Sequence, residues 1–238
     1  MSAFFENIRH LLDEIENEES KEMTEAAQEI AKSIENGGIL QLFGSGHSSL
    51  IAQETYYRAG GLVPAKAIQI EGLMLHSGAI SSSENEKNLS KVEEYWQEIS
   101  LEQHDVLVVI STSGRNPIPV EIALRAKKLG ITVIALQSLF YRQQPSRHPS
   151  GKRLEDVASI ILNSHVPVGD GVINNQQHQY GPVSTIIGTT ILNEVIVQAI
   201  QILQSNNIEP PVFSSNNIEA ENNNEDWIQK YQNRINFN

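Results

Sequence analysis

The stretch 106–130, VLVVISTSGRNPIPVEIALRAKKLG, decides how this chain is read. Five apolar residues with no polar alternation ask to be buried on both faces, the environment of a central strand in a parallel sheet. Ser111, Thr112, Ser113 and Gly114 then interrupt the apolar run, and Pro117 opens a run of helix formers with Asn116 placed to cap it. A second stretch, LQLFGSGHSSLIAQETYYRAGG at 40–61, repeats the order of strand, glycine- and serine-rich turn, and helix.

Working outward, short apolar runs predict strands at 39–43, 67–71, 105–110, 131–136 and 158–162, and helical spacing predicts helices at 47–59, 89–99, 117–129 and 182–204. Such alternation argues for an α/β fold, a parallel sheet with helices on both faces. Upstream, Phe4, Ile8, Leu11, Leu12 and Ile15, then Met23, Ala27, Ile30 and Ile34, recur at helical spacing, which predicts two helices ending at Asn36-Gly37-Gly38. The expected organisation is an N-terminal helical arm over 1–36, a main domain over 37–205 and a C-terminal extension over 206–238. Segments 77–88 and 137–153 read as polar loops, the second long enough to suspect a functional role. The tail reads as an extended connector followed by a docking helix around Trp227, Ile228, Tyr231 and Ile235.

Bulk composition excludes several classes. The 238 residues contain no cysteine, which rules out disulfides and thiolate chemistry and fits a reducing compartment. Seventeen basic residues against 29 acidic ones give a formal net charge of -12, and no segment reads as a nucleic-acid footprint. No apolar run is long enough to cross a bilayer, and the acidic, amphipathic N-terminus is unlike a signal peptide. The expectation is a cytoplasmic protein with neither nucleic acid nor membrane as partner.

Loops at the carboxyl ends of parallel strands open onto the crevice where ligands bind. In the first loop Gly44 and Gly46 free the backbone, while Ser45, Ser48 and Ser49 supply hydroxyls. The second contributes Ser111, Thr112 and Ser113. Together they offer a phosphate neutral donors. Neither is a Walker loop, since the lysine is missing, and Ser49 stands where a dinucleotide fingerprint needs its third glycine.

FGSGHSS after a strand, taken with VVISTSGRNPIPVEIALRAKKLGITVIAL, resembles the sugar isomerase (SIS) domain, with the phosphoheptose isomerase-like branch as a well-understood relative. The resemblance covers roughly 35–204, and the whole chain is similar to bacterial SIS-domain proteins of unsettled function. It implies a three-layer α/β/α sandwich on a five-stranded parallel sheet, a homodimer or tetramer, and a phosphorylated sugar as ligand. Carried over by position, the phosphate ligands would be Ser48, Ser111, Thr112, Ser113 and Asn116, with Gly44, Ser45 and Gly46 shaping the first loop.

Two departures bear on chemistry. Heptose isomerases and muramic acid phosphate etherases carry a glutamate ten residues beyond the loop serine, where this chain has Arg58. Heptose isomerases also place a histidine on the last domain helix, where 182–204 offers Glu194 instead. Moving a proton between adjacent carbons needs a carboxylate or imidazole base. The candidates are Glu71, read as ending a strand on the crevice side, Glu54, and His47 in the first loop. His76 follows Glu71; His178, like Glu194, is a candidate for reaching a site across a subunit interface. Arg58 has two readings, a contact to a second anionic group or a salt bridge to Glu54. No HxxxH or HExxH spacing occurs, so neither metal nor cofactor is assigned. Three functions remain open: a sugar-phosphate isomerase, a non-catalytic phosphosugar sensor, and an etherase-like lyase.

Overall fold

In the computed structural model, which describes residues 2–217 and 223–237, the N-terminal segment forms α1 (Ala3–Glu18) and α2 (Ser20–Glu35). Then come β1 (Leu40–Gly44), α3 (Ser48–Glu54), β2 (Ala65–Ile68), α4 (Ala79–Asn85), α5 (Val92–Gln97), β3 (Val106–Ile110), α6 (Pro117–Lys128), β4 (Thr132–Gln137) and β5 (Ile160–Asn163). A hairpin of β6 (Gly171–Asn174) and β7 (Gln179–Pro182), the long α7 (Ser184–Ser205) and α8 (Asn224–Tyr231) complete the chain. The five strands β1 to β5 form one parallel sheet in the order β2-β1-β3-β4-β5, with helices on both faces, giving the three-layer sandwich.

Unbroken apolar strands are explained by which way their residues point. Leu40, Leu42, Val106, Val108, Ile110, Ile134 and Leu136 face one core, with α2, α3 and α7. Phe43, Leu107, Val109, Val133 and Ala135 face the other, with α5 and α6. Successive side chains of a strand leave opposite faces, so a strand covered on both sides is apolar except where a polar side chain finds a partner, as Gln41 does on β1. On the first face, α2 buries Ala26, Ala27, Ile30 and Ala31 completely and packs along α7. The 22-residue α7 is long and apolar enough to span a membrane by composition, unlike the shorter runs read in the sequence, but Ile187, Ile191, Leu192, Val195, Ile196 and Leu203 are buried in this core.

The tail docks as a connector followed by a helix. Val63 donates to the Pro211 carbonyl at 2.8 Å and Phe213 to that of Gly61 at 3.0 Å. Phe213, Tyr231 and Ile235 form a third small core with Ile39 and Val63, residues that precede β1 and β2. At this amino end of the sheet the buried Asp105 carboxylate accepts from the Ile39 amide (3.0 Å), the Gln41 amide group (2.8 Å), the Glu102 amide (2.9 Å) and the Arg234 guanidinium (2.8 Å).

Four expectations need correction. The strand read at 67–71 ends at Ile68, because β2 pairs Ala65 with Leu40 and Ile68 with Phe43. The polar stretch 77–88 contains α4, whose buried residue is Ser82 rather than an apolar side chain. The helix read at 47–59 stops at Glu54, and 89–99 is a single tight turn at Leu89–Lys91 followed by α5.

Candidate functional site

The two loops singled out in the sequence leave adjacent strands at the same end of the sheet. β1 and β3 are paired in register up to Gly44 opposite Ile110, so Ser45 and Ser111 start their loops side by side. Gly44 is required by close approach: a Cβ there would lie 2.5 Å from the Ser48 carbonyl and 2.9 Å from the Ser49 nitrogen. The first loop doubles back at Gly46, whose φ of +55° suits glycine, and the Gly46 amide donates to the Leu73 carbonyl at 2.9 Å. That bond ties the segment carrying Glu71 and His76 to the loop.

Most backbone donors of these loops are committed. Ser48 and Ser49 amides donate to the Ser45 and Gly46 carbonyls, Ser111 to Leu136, and Gly114 to Ser111. The hydroxyls are not. Among the described residues, Ser48, Ser111, Thr112 and Ser113 make no side-chain hydrogen bond, and the Ser45 hydroxyl is buried without a partner. Ser49 is the exception, donating to the Gly46 carbonyl at 2.7 Å. A buried hydroxyl left unpaired costs about 1–3 kcal/mol; that penalty falls on Ser45, while Ser48, Thr112 and Ser113 are half-buried, and the five together line two adjacent strand ends with hydroxyls free to donate.

The second loop is braced from below. Gly114 has a φ of +60°, and a Cβ on it would run into the Gln137 side chain. Buried Arg153 donates to the Ser113 carbonyl (2.6 Å), the Gln144 carbonyl (2.6 Å) and the Glu155 carboxylate (2.5 Å), while Gln137 donates to Glu155 at 2.9 Å. Asn116 sits at the N-cap position of α6 but does not cap it, because its side-chain oxygen accepts from Arg147 at 2.8 Å. The segment 137–153 therefore packs along this loop, and its arginines are the functional candidates that sequence reading missed.

The catalytic candidates are dispersed. Glu71 does not end a strand: it begins a single tight turn (Glu71–Leu73), is exposed, and accepts from the Ser77 hydroxyl, with His76 Nε2 at 3.4 Å. The Ser77 hydrogen bond first, and then His76, hold its carboxyl below the usual carboxylate range. Glu54 is paired with Arg58 at 2.8 Å, the salt bridge of the two readings of Arg58. His47 stands exposed before α3 and makes no capping bond through its side chain. His178 lies in the β6–β7 turn, exposed, and Glu194 on α7 accepts from Gln198 at 2.8 Å. Glu194 borders a cleft of about 600 Å³ lined by Leu12, Ile15, Met23 and Ile191, away from the two loops.

Metal-type ligands converge elsewhere. Among the described residues Glu14, Glu18 and His165 bring ligand atoms within 4.8 Å of one another just beyond β5. His165 Nε2 lies 2.7 Å from Glu19 and Nδ1 lies 3.0 Å from Glu14, so the ring fastens the α1–α2 junction to the sheet edge.

A parallel sheet of order 2-1-3-4-5 with hydroxyl-bearing loops after its first and third strands defines the class, and a SIS-domain profile matches residues 3–138. The chain belongs to the SIS-domain family. Within it the chain is 49% identical over 237 residues to the UPF0309 protein in the nagA 3' region of Lysinibacillus sphaericus, covering 100% of this chain and 98% of that protein. It is 44% identical to a UPF0309 protein of Halalkalibacterium halodurans, over 99% of this chain and 96% of that one. Among solved structures, a phosphoheptose isomerase from Francisella tularensis superposes with a TM-score of 0.55 at 21% identity, covering 84% of this chain and 100% of the other. One from Neisseria gonorrhoeae gives 0.52 at 17%, covering 85% and 96%. At these identities the superpositions establish the shared fold.

Proposed function

We propose that this protein binds a phosphorylated sugar through the hydroxyls of Ser45, Ser48, Ser111, Thr112 and Ser113. The observation that carries the reading is that all five are uncommitted and stand at the ends of two hydrogen-bonded central strands. A phosphoryl group presents three acceptor oxygens, which matches a ring of neutral donors in a chain whose overall charge gives an anion no long-range attraction. The Thr112 and Ser113 amides, which have no partner among the described residues, add two further donors.

Isomerase-type proton transfer is the chemistry this placement would serve, with Glu71 as base on the segment bonded to the first loop and His47 beside the sugar. A second reading, a sensor that binds without turnover, is favoured by the state of the candidate bases. Glu71 is held low by Ser77 and His76, whereas proton abstraction gains from a carboxylate raised toward neutrality, and Glu54 is engaged by Arg58. An etherase-like lyase would use the same groups. We further read the protein as a cytoplasmic homodimer, a reading supported by exposed Phe5 on α1 and exposed Ile186 and Val197 on α7.

The test is a panel of sugar phosphates followed by thermal shift and by deuterium exchange from solvent. A ligand at one hundred times its dissociation constant stabilises the fold by about 2.7 kcal/mol, a shift that Ser113→Ala should largely remove. Exchange at a sugar carbon marks turnover, and binding without exchange marks the sensor. No stabilisation by any sugar phosphate, with Ser113→Ala indistinguishable from the parent, overturns the binding site.

A further inference from the structure

Charge is distributed very unevenly along this acidic chain. Between Asp105 and Glu155 the only acidic residue is Glu121, against eight of the 17 basic residues. Several of these are accounted for: Arg125 pairs with Glu93 and Glu121, Lys127 donates to the Val157 carbonyl, and Arg153 pairs with Glu155. Arg115 and Arg147 are not. Neither forms an ion pair with a carboxylate among the described residues, and their guanidinium contacts are to neutral amides. Arg115 reaches the Gln144 side chain at 3.0 Å and Arg147 the Asn116 side chain at 2.8 Å.

Both arginines are fixed to the hydroxyl loop. Arg115 follows Ser113 by two residues, at most about 7 Å along the chain. The Arg147 amide donates to the Arg115 carbonyl at 3.0 Å, which brings the two segments together. The Arg115 Nε is buried with no acceptor. Burial first, and then the neighbouring charges of Arg147 and Arg153, push the Arg115 guanidinium below its usual range. Two cations held together without a carboxylate, one with an orphaned donor, are an unfavourable arrangement that an anion would relieve.

We propose that Arg115 and Arg147 form a second anion subsite next to the 111–114 loop, so that the ligand is a sugar phosphate bearing a second acidic group. This rests on the reading of that loop as the phosphate site. A planar guanidinium accommodates a carboxylate or a second phosphate equally well through paired N–H donors, so the chemistry shared by both is what the subsite selects.

Calorimetric titration with fructose 6-phosphate, 6-phosphogluconate and fructose 1,6-bisphosphate separates the outcomes. The unaltered protein is expected to hold at least one of the two doubly acidic probes about tenfold or more tighter than fructose 6-phosphate, the value of one charge-assisted contact. Arg115→Gln and Arg147→Gln should each remove most of that preference while leaving the fructose 6-phosphate affinity within about twofold. Ser113→Ala should weaken all probes that bind. Equal affinity for the three probes, or an equal loss for all three in the arginine variants, overturns the subsite and leaves the phosphate site standing. If no probe binds the unaltered protein, the phosphate reading fails and the subsite with it. Arg147 is exposed, so its variant keeps the test decisive should Arg115→Gln unfold.

Discussion

Replacing Arg153 with methionine tests whether the candidate site is braced as the geometry says. The substitution keeps most of the apolar stem and deletes three donors: those to the Ser113 carbonyl at 2.6 Å, the Gln144 carbonyl at 2.6 Å and the Glu155 carboxylate at 2.5 Å. Two carbonyls lose a charge-assisted partner, and Glu155, whose side chain is 13% exposed, loses its cation and keeps only Gln137. Breaking a buried pair by removing one member costs about 3–5 kcal/mol, because a desolvated charge is left behind. Solvent that reaches the Gln144 carbonyl offsets part of the remainder, so the expected loss stays within that range. Urea unfolding followed by circular dichroism measures it. Adding Glu155→Gln to the variant removes the stranded charge and should restore about 1–2 kcal/mol of the loss. A single-variant loss below about 1 kcal/mol would refute the reasoning, since it would mean that water replaces all three contacts at little cost.

Gly44→Ala places a methyl group 2.5 Å from the Ser48 backbone, which cannot yield without lifting the first turn of α3. The expected result is a loss of about 1–3 kcal/mol in urea unfolding together with a lost sugar-phosphate thermal shift; an unchanged unfolding midpoint would show that the loop tolerates a side chain. Glu98 gives a pH signature. Glu98 is exposed, but partial desolvation first, and then the charges of Glu94 and Glu71, raise its carboxyl, so the folded chain holds this proton more tightly than the unfolded one. That contribution is fully present below the unfolded carboxylate pKa and is lost as pH rises through the folded value. Glu98→Gln should therefore be more stable than the parent near about pH 7 and converge with it near about pH 3; a stability difference that does not change with pH would contradict the assignment.

Legibility in the sequence followed burial. VLVVI announces a strand covered on both faces, and each of its residues is buried in one of the two cores. The family resemblance and the sandwich were readable from the two strand–turn–helix units. Hydropathy misleads where a pattern is not matched by a partner strand, and is silent where no apolar stripe exists. IQIEGL alternates like a strand, yet the ladder with β1 ends at Ile68 and leaves Glu71 in a turn. The β6–β7 hairpin leaves no hydropathy signal because residues 174–180 are all exposed and carry no inward-facing stripe. α4 is held through Ser82, which donates to the Leu73 carbonyl at 3.2 Å, and through Asn85, which donates to that of Gly72 at 2.7 Å, contacts that hydropathy does not register. The arginines are hidden in the net charge because acids prevail over the whole chain and almost vanish over 106–154.

Arg234 and Asp105 set an order on the making of this protein. The carboxylate that gathers the beginnings of β1 and β3 receives its guanidinium from a residue 129 positions later. Until residue 234 is made, the nascent sheet carries at its base a buried carboxylate held by amide donors but lacking its guanidinium, and any product released earlier keeps it so. Such shortened chains are the ones that quality-control proteases should find loosest, at the end of the sheet opposite the hydroxyl loops.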